Sequence, residues 1–171
     1  MYSVPAEAPE MMEDPKTPED TDAPKIGALV QQLIMMASML KELETQAHLV
    51  HLNYEGENFL EIHKYLKKRY LEHLEQFDHV AELVRSLDYW MPLCSCGLKD
   101  ALPGFQHICE PDGRHMLMTY YCNVEAMGYM ARKLEKLAAA VEAPDVQNYM
   151  ADLVGSAFRN AWFLKATLRG C

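Results

Sequence analysis

Four long segments of this chain of 171 residues carry apolar residues at the helical spacing of three or four residues, and this spacing constrains the fold most strongly. The first segment carries Leu29, Leu33, Met36 and Leu40 and continues to Val50. Residues at this spacing share one face of a helix, and such a face is buried against other helices. Hydrophobic residues make up 50% of the chain, which suffices for a sizeable core. No alternation of period two competes, so we expect an all-α fold.

A short turn separates the first helix from the second. The break falls at 53–58, where Gly56 can supply a backbone conformation that other residues resist. The second helix is predicted to begin near Asn58, which favours a helix cap, and to continue to about Leu87. A link this short places the two helices side by side and antiparallel.

A long connection rich in proline and glycine follows at 89–114, with room for one short helix near 98–102. The third helix is predicted over about 114–141. Pro144 ends it and suits the first turn of a fourth helix over about 145–169. Two helix pairs joined by one long crossover are similar to the ferritin-like four-helix bundle.

Residues 1–25 differ from the rest of the chain. They hold five prolines and seven acidic residues against two lysines, which gives a formal charge of −5. Such a segment buries too little apolar surface to offset the entropy of ordering. We expect a disordered acidic arm at 1–25 and one bundle domain at 26–171.

The formal net charge of −9 argues against a nonspecific grip on DNA or on anionic lipid. No run of about 18 apolar residues predicts a membrane span, and the start of the chain shows no pattern of a signal peptide. The odd number of cysteines, 5, suggests no dense disulfide framework. We expect a cytoplasmic protein.

Four side chains on the first two helices could bind a metal. His51 ends the first helix, and His63, Asp78 and Glu82 lie on the second. Imidazole and carboxylate are ligands of iron, manganese and zinc in helical bundles. From His63 to Asp78 is 15 residues, or roughly 22 Å along a helix. One chain therefore cannot place all four on one ion. Either these residues form no site, or the site forms where two chains meet antiparallel, with His51 and His63 of one facing Asp78 and Glu82 of the other.

The motifs around these residues identify a family resemblance. H-L-N-Y-E-G-E-N-F-L-E-I-H at 51–63, D-H-V-A-E at 78–82 and A-W-F-L-K-A-T-L at 161–168 resemble the Dps family of mini-ferritins. The resemblance implies a shell of twelve subunits with a ferroxidase centre between subunits. There Fe(II) is oxidised, usually by hydrogen peroxide, and stored inside as ferric mineral.

By the same resemblance, His51 and His63 are ligands from one subunit, and Asp78 and Glu82 come from its partner. One position departs from the family pattern. Where the family usually has an Asp one turn after the second histidine, this chain has Lys67. A cation there opposes a metal ion, and it can pair with the partner's carboxylates instead. The outcomes are a centre with rearranged ligands, a single-metal site, or a salt-bridged site without metal. Further side chains could serve as substitute ligands, namely His79, Glu75 and His48. A second departure is Leu52, where the family commonly has an aromatic Trp.

The long connection holds a second, weaker set of metal-binding residue types: Cys94, Cys96, His107, Cys109 and His115. Thiolates and imidazoles could close around zinc. The spacing is not the paired C-x-x-C form, so a disulfide or ordinary loop packing is the alternative.

The leading hypothesis is thus an iron-oxidising and iron-storing mini-ferritin, a homo-oligomer without membrane or DNA partners. One rival is a cage of the same shape whose site is a zinc or salt-bridge staple, favoured by Lys67. The other is a helical interaction module, for which the acidic arm and the cysteine-bearing loop would be docking surfaces.

Overall fold

The computed structural model describes residues 23–102 and 104–169, and they form five α-helices without a β-strand. The helices are α1 (Ala23–Asn53), α2 (Phe59–Ser86), α3 (Ser95–Asp100), α4 (Gly113–Ala140) and α5 (Pro144–Arg169). The predicted all-α bundle with a long crossover is confirmed. The acidic arm falls on residues outside this description except for 23–25, which are the first residues of α1.

The bundle consists of two antiparallel pairs, α1 with α2 and α4 with α5, and α1 also packs on α4. The apolar seam of α1 lies at the centre, where Leu29, Leu33 and Leu40 are fully buried. Within the described residues, one helix (25–53) is long and apolar enough to cross a membrane, and 56% of its most apolar window is buried inside the fold. Burial of this kind is what packing inside a bundle requires.

Local sequence signals set the starts of α4 and α5. Asp112 caps α4, its side chain accepting a hydrogen bond of 2.6 Å from the backbone N–H of His115. Pro144 is the first residue of α5, as predicted. Asn58 precedes α2 as predicted, but it does not cap the helix. Its backbone is left-handed, with φ 57°, and its side chain makes no capping hydrogen bond.

The crossover is held against the bundle by a polar cluster. Gln46 of α1 and Asn123 of α4 both donate to the Gln106 carbonyl, at 2.9 and 2.8 Å, and Asn123 also donates to the Gln46 side chain. The short helix α3 begins at Ser95, three residues before the predicted range, because the Cys94 side chain caps it by accepting from the Gly97 N–H. Where the crossover ends, Gly113 lies beside Glu55 and Tyr54 of the α1–α2 turn.

Candidate metal site

The turn at 54–58 brings the two predicted imidazole ligands together. His51 lies in the last turn of α1 and His63 in the second turn of α2. Their rings are stacked, with centroids 3.7 Å apart and planes inclined by 22°. Gly56 makes the turn possible with φ 145°, a backbone conformation that side-chain-bearing residues rarely adopt. The sequence therefore places both imidazoles at one end of the helical hairpin.

Two reciprocal hydrogen bonds fix the orientation of both rings. His51 Nδ1 lies 2.8 Å from the His63 carbonyl oxygen, and His63 Nδ1 lies 3.0 Å from the His51 carbonyl oxygen. Because a carbonyl oxygen only accepts, each Nδ1 is the donor. Each neutral ring then carries its lone pair on Nε2, which is the atom that can bind a metal ion.

Aromatic side chains surround the pair. Tyr70 meets His51 edge-on at 5.6 Å between ring centroids, and His48 stacks on Tyr70 at 4.2 Å. Phe59 lies 5.3 Å from the His63 ring. His51 is buried, with 7% of its surface exposed. These neighbouring rings restrict the movement of the imidazoles.

The two carboxylates lie elsewhere on the same chain. Asp78 and Glu82 are exposed and lie one helical turn apart on α2. They are separated from His63 by 15 residues or more of unbroken helix, roughly 22 Å. Among the residues that the structure describes, no three His, Cys, Asp or Glu side chains are close enough to hold a metal ion. A shared site with a second chain therefore stays a prediction.

The predicted substitute ligands occupy different surroundings. His79 stacks on Tyr149 of α5, with ring centroids 3.8 Å apart, so it faces the second helix pair. Burial raises the pKa of Tyr149 to about 12, which keeps that phenol neutral beside the imidazole. Glu75 is exposed. Of the three substitutes, only His48 lies beside the ring pair, and its ring centroid is 6.2 Å from that of His51.

Lys67 is exposed one turn beyond His63. It forms no ion pair with any residue of the described ranges. Its charge is thus available to a partner chain or acts against a cation at this site.

The five loop residues do not assemble into one site. Cys94 and Cys96 are joined in a disulfide, which is the alternative that the sequence left open. Cys109 is a free, exposed thiol, and it and His107 line a cavity of about 630 Å³ between α1 and the crossover. His115 is in the first turn of α4, where its backbone N–H donates to the side chain of the capping residue Asp112. A disulfide offers no thiolate, so a zinc site made of all five does not form in this state.

The model of the ferritin-like domain matches residues 30–171. This chain belongs to the ferritin-like domain family. No curated protein sequence matches it significantly.

Solved structures share this ferritin-like bundle. Dps from Thermosynechococcus elongatus superposes with a TM-score of 0.82 at 15% identity, over 87% of this chain and 95% of that one. Antigen TpF1 from Treponema pallidum gives a TM-score of 0.80 at 23% identity, over 90% of this chain and 99% of that one. The DPS protein from Vibrio cholerae O1, described as a member of a broad superfamily of ferritin-like diiron-carboxylate proteins, gives 0.78 at 19% identity, over 85% and 91%. The predicted resemblance to Dps mini-ferritins is confirmed in the fold.

One aromatic residue beside the imidazole pair was not predicted from the sequence as a neighbour of the candidate site. Leu52, the position predicted to lack an aromatic shield, is indeed turned outward, with 64% of its surface exposed. Tyr70 supplies an aromatic wall from α2 instead. The available signal was its position seven residues after His63, two turns along the same helix face.

Proposed function

We propose that this ferritin-like chain is a subunit of a Dps-like cage of twelve copies that oxidises Fe(II) and stores the ferric product. The proposed oxidant is hydrogen peroxide, and the proposed setting is oxidative stress in the cytoplasm. The observation that carries the proposal is the stacked His51–His63 pair, whose two Nδ1 atoms both donate to carbonyl oxygens. Both Nε2 atoms are then free to bind Fe(II).

The remaining ligands would come from a second copy. Asp78 and Glu82 are exposed at adjacent turns of α2 and supply the oxygen donors that iron accepts. Two copies related by a two-fold axis bring the imidazoles of each to the carboxylates of the other, which yields two sites per pair. The family fold and the diiron-carboxylate description of the Vibrio cholerae O1 protein support this arrangement.

The chemistry needs little from the chain beyond position and charge. Neutral imidazoles and carboxylates hold Fe(II) and leave coordination positions open to the oxidant. Two Fe(II) ions give one electron each, and hydrogen peroxide with two protons becomes two water molecules. The ferric product moves to the interior of the cage. The acidic balance of the chain disfavours contact with DNA phosphates.

The direct test adds Fe(II) and peroxide to the purified assembly and follows ferric absorbance. We expect oxidation faster than in the protein-free control, and a large loss in His63→Ala. A matched control is His107→Ala, which changes an exposed imidazole of the crossover. Equal rates with and without protein would reject the enzymatic proposal.

A mixing experiment tests whether the site is shared. His63→Ala and Asp78→Asn should each be inactive alone. If they are refolded together, a mixed pair contains one site with an intact His63 and an intact Asp78, and activity returns. A site within one chain gives no recovery on mixing.

Lys67 favours a second candidate, a cage of the same shape without iron oxidation. The exposed ammonium one turn beyond His63 could bind the partner's Asp78 or Glu82 as a salt-bridge staple, or the imidazoles could hold zinc. Metal analysis of the purified assembly distinguishes these cases, since a staple retains no iron after anaerobic loading. A helical interaction module would instead appear as a monomer or simple dimer in native mass measurements.

A further inference from the structure

A second cluster of polar side chains lies inside the bundle, apart from the metal site. It joins α2 to α4 through His73 and Tyr120, which expose 1% and 0% of their surfaces. His73 Nε2 lies 2.8 Å from the Tyr120 hydroxyl, and His73 Nδ1 lies 3.0 Å from Gln76 Oε1. The iron chemistry proposed above uses none of these groups.

The donor and the acceptor of each hydrogen bond between Tyr120, His73, Gln76 and Glu72 follow from their chemistry. Gln76 donates through Nε2 to Glu72 Oε1, at 3.4 Å, so its Oε1 faces His73. An amide oxygen only accepts, so His73 Nδ1 carries the proton. The Nε2 of the neutral ring is then an acceptor, and Tyr120 O–H donates to it.

Glu72 ends this series of hydrogen bonds and is itself held by two further residues. Ser156 of α5 donates to its Oε1 at 2.8 Å, and Arg69 pairs with its Oε2 at 2.7 Å. The carboxylate therefore orients Gln76, and Gln76 orients the His73 ring. The basic nitrogen that faces Tyr120 is fixed by contacts from two helices.

We propose that Tyr120 is a redox-active residue that gives up one electron to a one-electron oxidant while its phenolic proton passes to His73 Nε2. The O–H bond of the phenol breaks and an N–H bond forms, which leaves a neutral phenoxyl radical and an imidazolium. The oxidant, for example a hydroxyl radical formed from peroxide and Fe(II), gains the electron. A reductant of the Fe(II) or thiol class reverses the step.

The surroundings favour this coupled step over the separate loss of a proton or an electron. Burial raises the pKa of Tyr120 well above its ordinary value, so the phenol does not ionise first. An electron lost alone would leave a phenol cation radical, which is a very strong acid. Transfer of its proton over 2.8 Å places the positive charge on His73, which remains much the stronger base even though burial lowers its pKa to about 4. Full burial also separates the radical from solvent and from other radicals. Tyr120 would thus hold an oxidising equivalent inside the wall of the cage.

The test uses the metal-free, full-length assembly, so it does not depend on the iron chemistry. Photogenerated tris(bipyridine)ruthenium(III) serves as the one-electron oxidant, and frozen samples are measured by EPR. We expect a long-lived tyrosyl signal that Tyr120→Phe abolishes. Tyr129→Phe is the control, because Tyr129 lies on the same helix with 50% of its surface exposed. An unchanged long-lived signal in Tyr120→Phe overturns the proposal.

Two further measurements separate a proton acceptor from a packing role for His73. In His73→Gln, which retains a hydrogen-bond acceptor but no basic nitrogen, the long-lived signal should disappear while circular dichroism stays native. In the unmodified protein, the rate of radical formation should not depend on the concentration of buffer base, because the acceptor is internal. A rate that rises with buffer base, or a native signal in folded His73→Gln, overturns the assignment.

Discussion

Lys67 places a positive charge where the proposed iron site would need to attract cations. It is exposed, and no ion pair with a described residue neutralises it. Two like charges a few ångströms apart in a partly dry site repel by several kcal/mol at most. A loss of only about 1.4 kcal/mol already weakens binding tenfold.

We therefore expect Lys67→Asp to accelerate peroxide-dependent oxidation of Fe(II) by about tenfold or more. The matched control is Lys68→Asp, an identical change of charge at the neighbouring exposed position. Ferric absorbance after rapid mixing measures both. Equal acceleration in the two variants would mean that net charge, and not position 67, sets the rate.

His73 also affects stability, because it is buried without charge. Burial lowers its pKa from the ordinary 6.5 to about 4. Between these two pH values the unfolded chain binds a proton at this residue that the folded chain does not bind. The free energy of unfolding must therefore fall as pH falls from above 6.5 to about 4.

The size of this fall should be about 3 kcal/mol, and urea unfolding across this pH range measures it. His73→Gln should remove most of this part of the pH dependence. His107→Gln changes an exposed histidine and should leave it unchanged. The same slope in the original protein and in His73→Gln would contradict the assignment.

For single residues, the sequence predicted which side chains could be ligands but not which groups would contact them. The positions of His51 and His63 followed from a motif, and the structure brings them together. Their tautomers depend on carbonyl oxygens across the turn, and Tyr70 depends on how α2 packs on α1. Such contacts between helices are not encoded in spacing alone. The buried pairing of His73 with Tyr120 spans 47 residues and was not predicted for the same reason.

At the scale of helices, the α1–α2 turn and the start of α4 are in direct contact. A Cβ atom added to Gly113 would lie 2.6 Å from the Glu55 carbonyl oxygen and 3.0 Å from the Tyr54 ring. Backbone cannot yield as a flexible side chain can, so the first turn of α4 would have to move. The α1–α2 turn, which contacts α4 here, also sets the relative positions of His51 and His63.

We expect Gly113→Ala to reduce the free energy of unfolding by about 1–3 kcal/mol. Gly155→Ala is the matched control, since nothing lies within 4 Å of its added Cβ on α5. That substitution should stabilise the helix by up to about 1 kcal/mol. Chemical denaturation measures both changes, and a neutral Gly113→Ala would show that the turn adapts.

Helix existence and order followed from the period of apolar residues, and the α4 and α5 bounds were predicted to within one residue. Two details were wrong. Asn58 adopts the left-handed conformation and leaves capping undone, because the preceding turn requires that backbone. The short helix α3 begins at Ser95 because the Cys94 sulfur caps it, and cysteine is not a usual capping residue.

At the scale of the whole molecule, apolar side chains remain exposed around the imidazole pair. Leu52 and Leu60 expose 64% and 61% of their surfaces, and Phe59 exposes 41%. Apolar groups concentrated beside a polar site are typical of an interface. They support a second copy of the chain as the cover of this end of the hairpin.

Leu60→Glu should therefore shift the assembly towards smaller species. Burial of a leucine contributes about 1.5–3 kcal/mol, so the loss should weaken association by at least about tenfold. Native mass spectrometry measures the change, with Leu60→Met as the control that keeps an apolar side chain. An unchanged mass for Leu60→Glu would remove this surface from the interface.

The reciprocal bonds of His51 and His63 have a consequence for dynamics. Each imidazole is anchored on the carbonyl group of the other helix end, so opening the hairpin breaks both anchors and withdraws both donor nitrogens together. An ion that binds the closed form must lower the population of the open form. Amide hydrogen exchange at 52–60 should consequently slow when Fe(II) or Zn(II) is added and recover with a chelator. Metal occupancy would then act as a latch on the first helix pair.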